Sequence, residues 1–271
     1  MILSMLKGVG PATLRNIAKI KDFAEYDWSE IAQFLPKQVA NDLSDQVILN
    51  ATDAADSQID IASKNATRIL SVVDADYPKL LCVVRDDPVI LFVKGALAPT
   101  EEKSVAIIGT REPTSHGGVI TERLTKFFVG EGWSIVSGLA IGCDSIAHKA
   151  ALINGGHTVA ILAHGLQTVA PSRHKKLAAE ILEAGGALVT EYPFGDEPRP
   201  QNFVKRDRIQ AGMASGVVMV QSDIKGGSLH ASRASLEYNR WLAVPYPTEQ
   251  DKANGEPKSL FQKGLSDYSR L

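Results

Sequence analysis

The sequence of 271 residues is short of cysteine, of net charge and of long apolar runs, and each shortage excludes a class of protein. Its two cysteines, Cys82 and Cys143, are too few for a disulfide framework, so we expect a reducing compartment and a cytoplasmic protein. The formal net charge of -2 excludes a protein that coats nucleic acid by bulk positive charge. No apolar stretch approaches the ~20 residues that span a bilayer, and no secretory signal opens the chain, so we expect no membrane association.

The chain also lacks the common short motifs of catalysis. No HExxH, GxSxG or P-loop pattern occurs. Cys143 and His148 lie close together, but two side chains do not supply the ligands of a zinc site. We interpret Cys143 as packing at a helix start, His148 as core or helix surface, and His174 and His230 as surface residues. The sequence therefore predicts a protein that is not an enzyme and that needs no metal and no cofactor.

The composition is that of an ordinary globular protein, with 44% hydrophobic and 22% charged residues. The sequence pattern divides the chain into two regions. Residues 1–70 carry apolar residues at helical spacing and predict a small all-helical domain, in which 53–60 is left open as loop or helix. Residues 71–271 form the second predicted domain, which opens with a strand over 89–93 that ends at Gly95.

From residue 104 onward, short apolar runs alternate with helical stretches of about 10 to 15 residues. The runs cover 105–108, 133–136, 158–162, 187–189, 217–220 and 241–244. Continuous apolar strands that alternate with helices are typical of parallel sheets covered by helices on both faces. The sequence therefore predicts an α/β fold with a doubly wound, mostly parallel, Rossmann-like sheet.

The residues that follow each strand are the first place to look for a site, because doubly wound sheets bind ligands at the carboxyl ends of their strands. Gly109, Thr110 and Arg111 follow the first of the six runs. Glycine lets the backbone approach a phosphate, and the hydroxyl and guanidinium groups can hydrogen-bond to it. A simple turn with an exposed arginine is the alternative.

Two further glycine loops precede helices, where unpaired backbone amides attract anions. The predicted anion contacts in these loops are Ser137, Gly138, Lys225, Gly227 and Ser228. In the first loop we expect the helix to begin near Asp144, which has a residue type suited to an N-cap. The spacing of the glycines differs from the GxGxxG fingerprint, so classical dinucleotide binding is disfavoured.

The segment over 192–208 holds the densest mixture of basic and aromatic residues in the chain. Such a mixture suits single-stranded nucleic acid, since cations meet phosphates and rings stack on unpaired bases. The predicted contacts are Arg199, Phe203, Lys205, Arg206 and Arg208. A solvated loop with a buried Phe203 is the alternative for this segment alone. Four strand ends that all suit phosphate together favour a phosphate-bearing ligand.

Taken together, these loops resemble the DprA/Smf family from about residue 77 to residue 264. The matching pieces are Tyr77-Pro78, Asp87-Pro88 to Gly95, Val105 to Arg111, Ser137 to Asp144 with Ala147-His148, Asn202-Phe203 with Arg206, Arg208, Ile209 and Gly212, and Gly227-Ser228-Leu229 with Ala231, Arg233 and Glu237. Their order and spacing make the match specific. The start of the chain, Leu6 to Pro11, is similar to the helix-hairpin-helix turn of the family's N-terminal domain.

The resemblance implies a homodimer without established catalysis that binds incoming single-stranded DNA, shields it and helps to load the RecA recombinase. It places these activities in natural transformation, the competence pathway, or in related recombination; the sequence does not distinguish DNA uptake from phage defence. The pocket residues that it implies are Gly109, Thr110, Arg111, Ser137, Gly138, Phe203, Arg206, Arg208, Gly227 and Ser228.

The chain departs from the family pattern at several positions. Asp207 stands where the family usually has Asn, and a carboxylate there is expected to weaken phosphate binding, so that Asp207→Asn tightens it. Val204 replaces a frequent proline, and Ile141 replaces a frequent basic residue. Family chains often end in a winged-helix-like domain, which the sequence up to Leu271 does not reach, so the expectation of RecA loading comes from the resemblance alone, whereas DNA binding is also expected from the residues.

The alternative function is a nucleotide-binding sensor, or a nucleotide hydrolase of the LOG type, which uses a GGxGTxxE loop. Alignment of Gly226-Gly227 on that loop puts Leu229 at its third glycine and Arg233 at its glutamate. A guanidinium group stays protonated in proteins and cannot act as a general base. Glu237 lies one helical turn too far along the chain. Nucleotide sensing therefore stays open, while hydrolysis is disfavoured.

Overall fold

The computed structural model describes residues 1–222 and 227–245. The helices are α1 (Ile2–Met5), α2 (Pro11–Ala18), α3 (Trp28–Ala32), α4 (Lys37–Asn41), α5 (Asp45–Lys64), α6 (Lys79–Cys82), α7 (Ser115–Gly130), α8 (Cys143–Ile153), α9 (Lys175–Glu183), α10 (Pro200–Gly212) and α11 (Ser228–Glu237). The strands are β1 (Thr67–Ser71), β2 (Ile90–Gly95), β3 (Ser104–Ile108), β4 (Ser134–Ser137), β5 (Thr158–Ile161), β6 (Ala187–Thr190), β7 (Gly216–Met219) and β8 (Trp241–Ala243). Among the described residues, no helix is both long enough and apolar enough to cross a membrane.

The strands form one sheet in the order β1-β2-β6-β5-β4-β3-β7-β8. Strands β3 to β8 run parallel to one another, whereas β2 pairs antiparallel with β6 and β1 pairs antiparallel with β2. The strand order reverses at β3, which lies between β4 and β7. Such a reversal opens a crevice at the carboxyl ends of the strands, because the neighbouring connections leave toward opposite faces. The predicted doubly wound, mostly parallel sheet is confirmed.

Burial on both faces explains why the central strands read as continuous apolar runs. Every residue of β3, β4, β5, β6 and β7 is buried. Helices α7, α8 and α9 pack in sequence on one face, over a core that includes Ile107 and Ile135. Helices α10 and α11 pack together on the other face, over Ile108 and Met219. The sheet is therefore held between two helical layers, as the alternating pattern predicts.

The N-terminal helices are present, as expected, and pack around Leu6, Ile17, Leu35 and Val39. The open segment 53–60 proves to be helical, since α5 runs unbroken for 20 residues. The buried positions of α5 are alanines, which give a weaker periodic signal than larger apolar side chains.

Strand β1 corrects the expectation of helix up to about residue 70. The helices end at Lys64, and Thr67–Ser71 pairs residue by residue with β2. Its burial alternates only partly, and five residues are too few for a clear period. The division into domains at 1–70 and 71–271 stays a prediction.

Two polar contacts join the helical region to the sheet region. The Nε atom of Arg15 on α2 lies 2.6 Å from Asp87 Oδ1. The Nη2 atom of Arg15 donates to the Asp87 carbonyl oxygen at 2.9 Å. Gln58 on α5 donates from Nε2 to the Phe194 carbonyl oxygen, and its Oε1 accepts from the Phe194 amide. The Asp87 carboxyl is buried, which raises its pKa, while Arg15 acts in the opposite direction.

Arg15→Ala should lower the free energy of unfolding by about 1–3 kcal/mol, because it leaves the buried carboxyl and carbonyl of Asp87 without their donor. Urea unfolding at pH 7 measures the change. The control is Lys19→Ala at the end of the same helix, where the side chain is exposed and the effect should stay within about 0.5 kcal/mol. Equal effects of the two substitutions would show that the Arg15 contact does not stabilise the fold.

Candidate functional site

A cavity of about 740 Å³ occupies the crevice where the strand order reverses. It lies between the loops that follow β3 and β4 and the N-terminal parts of α10 and α11. The predicted site residues that line it are Gly109, Thr110, Arg111, Phe203, Arg206, Gly227 and Ser228. These predicted residues come from the loop after β3, from α10 and from the start of α11, and the loop after β4 adds Ala140 and Ile141 to the lining. This is the position where ligands of this fold class bind.

The loop after β3 is held close to its neighbours by backbone contacts. The Thr110 amide donates to the Gln221 carbonyl oxygen at 2.6 Å, and the Cys143 amide donates to the Thr110 carbonyl oxygen at 3.1 Å. A Cβ on Gly109 would lie 2.5 Å from Cys143 Sγ, so glycine is required for this approach. Arg111 remains exposed, and its guanidinium carbon lies 5.8 Å from the centre of the Phe203 ring. The pair forms a mixed cationic and aromatic rim to the cavity.

In the loop after β4, the Gly138 amide that the sequence suggested as an anion contact is already paired within the protein. Gly142, not Asp144, is the N-cap of α8, and the Asp144 carboxylate instead turns back to the loop. Its Oδ2 accepts from the Gly138 amide at 3.1 Å and from the Ala140 amide at 3.4 Å. Ser137 Oγ donates to the Ile107 carbonyl oxygen. Ser137 and Gly138 lie outside the cavity lining, and the Asp144 carboxylate accepts the hydrogen bonds of the Gly138 and Ala140 amides.

The basic-aromatic segment is largely helical rather than an extended loop, and the helix separates its members. Phe203 and Arg206 face the cavity from α10, whereas Lys205 and Arg199 are exposed outside its lining. Arg208 points to the other side of α10. Its Nη1 and Nη2 each lie 2.8 Å from a carboxylate oxygen of Glu191, a bidentate ion pair. The structure therefore does not place all five side chains in one pocket.

Arg206 is buried, with 3% of its surface exposed, and two carboxylates share its charge. Its Nη1 lies 3.3 Å from Asp207 Oδ1 and 3.9 Å from Asp144 Oδ2, and its Nη2 donates to the Gly138 carbonyl oxygen at 3.1 Å. Gly138 has to be glycine, because a Cβ there would overlap the Arg206 guanidinium. With one cation and two acids, the floor of the cavity is not the positive surface that a run of basic residues suggests.

Burial alters the acidity of the groups around Arg206. It raises the pKa of Asp207 to about 7, with Arg206 opposing the shift and Asp144 adding to it. Burial also raises the pKa of Asp144. It lowers the pKa of His148 to about 3, so this histidine is neutral at physiological pH. Near neutral pH, Asp207 is therefore divided between its acid and its carboxylate forms.

The remaining predicted residues fall into three groups. Gly227 and Ser228 lie at the start of α11 on the cavity wall, where Ser228 Oγ donates to Ser222 Oγ. Lys225 lies outside the described residues. His174, expected at the surface, is 8% exposed and its Nδ1 lies 2.8 Å from the Leu139 carbonyl oxygen, a hydrogen bond that holds the β4 loop.

Asp144 and Gln210 are cavity residues that the sequence reasoning did not select. Gln210 follows Phe203 and Asp207 at helical spacing, so the assignment of 200–212 as helix would have found it. Asp144 was assigned only as an N-cap, because its contact with Arg206 spans 62 positions of sequence that no local pattern connects.

Comparison with known proteins decides the family. The family described as DNA recombination-mediator protein A matches residues 68–267. The chain belongs to this family. The related DNA processing protein DprA of Bacillus subtilis is 32% identical to this chain over 237 residues, which cover 87% of this chain and 74% of that protein. The resemblance to the DprA/Smf family is confirmed.

Other DprA/Smf relatives are longer than this chain. Protein Smf of Escherichia coli is 39% identical over 189 residues, covering 69% of this chain and 50% of that protein. Protein Smf of Synechocystis is 32% identical over 264 residues, covering 93% of this chain and 65% of that protein. The chain thus spans between half and two thirds of the length of these two relatives.

Solved DprA structures share the fold. The crystal structure of DNA processing protein A from Streptococcus pneumoniae superposes with a TM-score of 0.72 at 29% identity, covering 97% of this chain and 88% of that chain. DNA processing protein A from Helicobacter pylori, described for its single-stranded DNA binding mode, gives a TM-score of 0.60 at 26% identity, covering 75% of this chain and 96% of that chain.

Asp207→Asn should stabilise the DprA fold more at pH 8 than at pH 5. Between about pH 4 and pH 7 the folded chain holds a proton on Asp207 that the unfolded chain has lost, so the free energy of unfolding falls as pH rises through this window. Asparagine does not ionise, so in the variant the free energy of unfolding does not fall for this reason. Urea unfolding at the two pH values should show the stability difference between variant and wild type growing by more than about 1 kcal/mol.

The matched control is Asp56→Asn, which makes the same chemical change at an exposed position of α5. Its effect should be the same at both pH values. A pH-independent effect of Asp207→Asn would contradict the raised pKa.

Proposed function

We propose that this protein binds single-stranded DNA in the crevice at the carboxyl ends of β3, β4 and β7, and performs no chemistry on it. The observation that carries the proposal is the rim formed by Arg111 and Phe203, which places a cation and a half-buried aromatic ring beside a cavity at the topological switch point. Cations that meet phosphates beside rings that stack on bases are the common features of single-strand sites. The relation to a DprA protein described for single-stranded DNA binding supports the same function.

Within this site the phosphate contacts fall to Arg111, to the Gly109 amide and the Thr110 hydroxyl, and to the start of α11 at Gly227 and Ser228. Arg206 is committed to Asp144, Asp207 and the Gly138 carbonyl oxygen, so it positions α10 rather than meeting the strand directly. The bidentate pair with Glu191 assigns Arg208 to the scaffold.

The alternative of a LOG-type hydrolase gains no support from the cavity. Glu237 lies away from the cavity lining and forms an ion pair with Arg85, with Nη2 and Oε2 2.5 Å apart. Arg233 is exposed and also outside the lining. Binding of a free nucleotide stays compatible with a cavity of about 740 Å³, so nucleotides belong among the competitors in the binding experiment.

The wider role follows from family membership and is part of the proposal. It comprises protection of single-stranded DNA, assistance in loading the RecA recombinase, action as a homodimer in the cytoplasm, and service in natural transformation or related recombination. RecA stimulation and oligomeric state each need their own measurement, because neither follows from the crevice.

The protein should bind a mixed-sequence single-stranded 20-mer more tightly than the matched duplex, because stacking on Phe203 requires unpaired bases. Phe203→Ala should weaken single-strand binding by about 1–3 kcal/mol in a fluorescence-anisotropy titration. The control is Phe127→Ala, which removes an exposed ring of α7 outside the cavity lining and should leave the affinity unchanged. Equal affinity for the two DNA forms, or full displacement by nucleoside monophosphates at micromolar concentration, would favour the nucleotide-binding alternative.

Arg111→Ala should flatten the dependence of log affinity on log salt concentration by about 0.7, the amount expected for one lost phosphate contact on a single strand. The measurement is a series of binding titrations at about five NaCl concentrations between roughly 50 and 300 mM. Lys126→Ala, which removes an exposed cation of α7, is the charge-matched control and should leave the slope unchanged. An unchanged slope in the Arg111 variant would assign the arginine to packing against Phe203 instead.

A further inference from the structure

The cavity-facing side of α10 bears two hydrogen-bond acceptors, Asp207 and Gln210, beside Arg206, whose guanidinium is already paired within the protein. Phe203, Asp207 and Gln210 lie four and three positions apart, which puts them on one side of the helix, and all three line the cavity. Phosphate oxygens accept hydrogen bonds and carry negative charge, so neither the Asp207 carboxylate nor the Gln210 carbonyl oxygen suits them. This side of α10 therefore contacts a different part of the ligand.

The Asp207 carboxyl is fixed through one oxygen only. Gln210 Nε2 donates to Asp207 Oδ1 at 2.9 Å, and Arg206 Nη1 lies 3.3 Å from the same oxygen. Among residues 1–222 and 227–245, no group donates a hydrogen bond to Asp207 Oδ2. Gln210 is 2% exposed, and its Oε1 likewise has no partner within these residues. The carboxyl is thus held in one orientation with an acceptor oxygen left for a ligand.

Only one part of a DNA strand can supply the donor. Inside a strand, the phosphates and deoxyriboses carry no N–H or O–H groups, so every donor lies on a base. Adenine, cytosine and guanine each have an exocyclic amino group. Thymine has none, and its N3–H is flanked by two carbonyl oxygens that repel a carboxylate. An acceptor beside a stacked base therefore separates the amino-bearing bases from thymine.

We propose that Asp207 selects bases in the single-stranded DNA site, by accepting a hydrogen bond from the exocyclic amino group of a base stacked beside Phe203. The selection disfavours thymine and uracil. Gln210 is the positioning residue, because it holds Asp207 Oδ1 and so leaves Oδ2 as the acceptor for the base. The inference rests on the proposed function and adds to it a base preference that Asp207 supplies.

The charge of Asp207 is expected to set the strength of the selection. The groups that face it are Arg206 on α10, Asp144 on α8 and Arg111 after β3. Burial raises the pKa of Asp207 to about 7, so the carboxylate dominates at pH 8 and the acid dominates at pH 6. The acid form can also donate to the O4 of uracil or thymine, and the selection should therefore weaken at pH 6.

The test compares oligo-dC with oligo-dU of the same length, because this pair shares a ring size and lacks the thymine methyl group. At pH 8 the wild type should bind oligo-dC about 5- to 10-fold more tightly. Asp207→Asn should bring the ratio below about 2-fold, because the amide donates as well as it accepts. The ratio is insensitive to the lost negative charge, since charge acts on both strands alike.

Two further arms complete the experiment. Asp56→Asn should keep the wild-type ratio, and the wild-type ratio should fall between pH 8 and pH 6 while that of Asp207→Asn stays constant. Equal binding of the two oligonucleotides by the wild type, or a ratio that Asp207→Asn leaves unchanged, would overturn base selection while leaving single-strand binding intact. Failure of the wild type to bind either oligonucleotide would overturn the proposed function and this inference together.

Discussion

Burial of the Arg206 guanidinium under the crevice is the constraint on which the arrangement of the site depends. A charge with 3% exposure is costly unless carboxylates and carbonyl oxygens surround it. Here the partners come from three places, Asp144 on α8, the Gly138 carbonyl oxygen after β4, and Asp207 on the helix itself. One buried cation therefore ties helices from opposite faces of the sheet to the same strand end.

This constraint also sets the electrostatics of the cavity. Because two carboxylates share Arg206, the floor is close to neutral or negative, and among the described residues that line the cavity the other cation is Arg111 at the rim. The lack of excess positive charge in the cavity agrees with the formal net charge of -2 for the whole chain. Under the proposed function, affinity for a single strand depends on a few backbone and rim contacts together with stacking, rather than on a long basic surface.

A second polar network, around Arg208, holds α10 from its other side. Arg208 Nε donates to the Asp86 carbonyl oxygen at 3.0 Å, and the Asp86 carboxyl accepts from the Tyr238 hydroxyl. With the Glu191 pair, this network connects α10 to the end of β6 and to the segment before β2. Two arginines two positions apart thus serve opposite sides of one helix, and both act on the scaffold before any ligand is present.

The sequence by itself determined the layer architecture and the edge of the sheet that holds the cavity. Continuous apolar runs that alternate with helices leave few arrangements other than a parallel sheet covered on both faces, and parallel strands gather their carboxyl ends at one edge. It also placed Gly109, Arg111 and Phe203 at that edge, since each is either beside a strand end or at the start of the next helix. Each of these inferences depends only on residues that are close together in the sequence, so a local pattern is enough to make it.

Tertiary structure decided which of the basic residues reach the cavity and which are neutralised. Sequence adjacency grouped Arg199, Lys205, Arg206 and Arg208, but a helix turns neighbouring side chains about 100° apart, so they point in different directions. The partners of Arg206 and Arg208 lie between 17 and 122 residues away along the chain, apart from Asp207 and Lys205. Whether a charge is free or paired depends on such distant contacts, and these exist only once the sheet has brought its strand ends together.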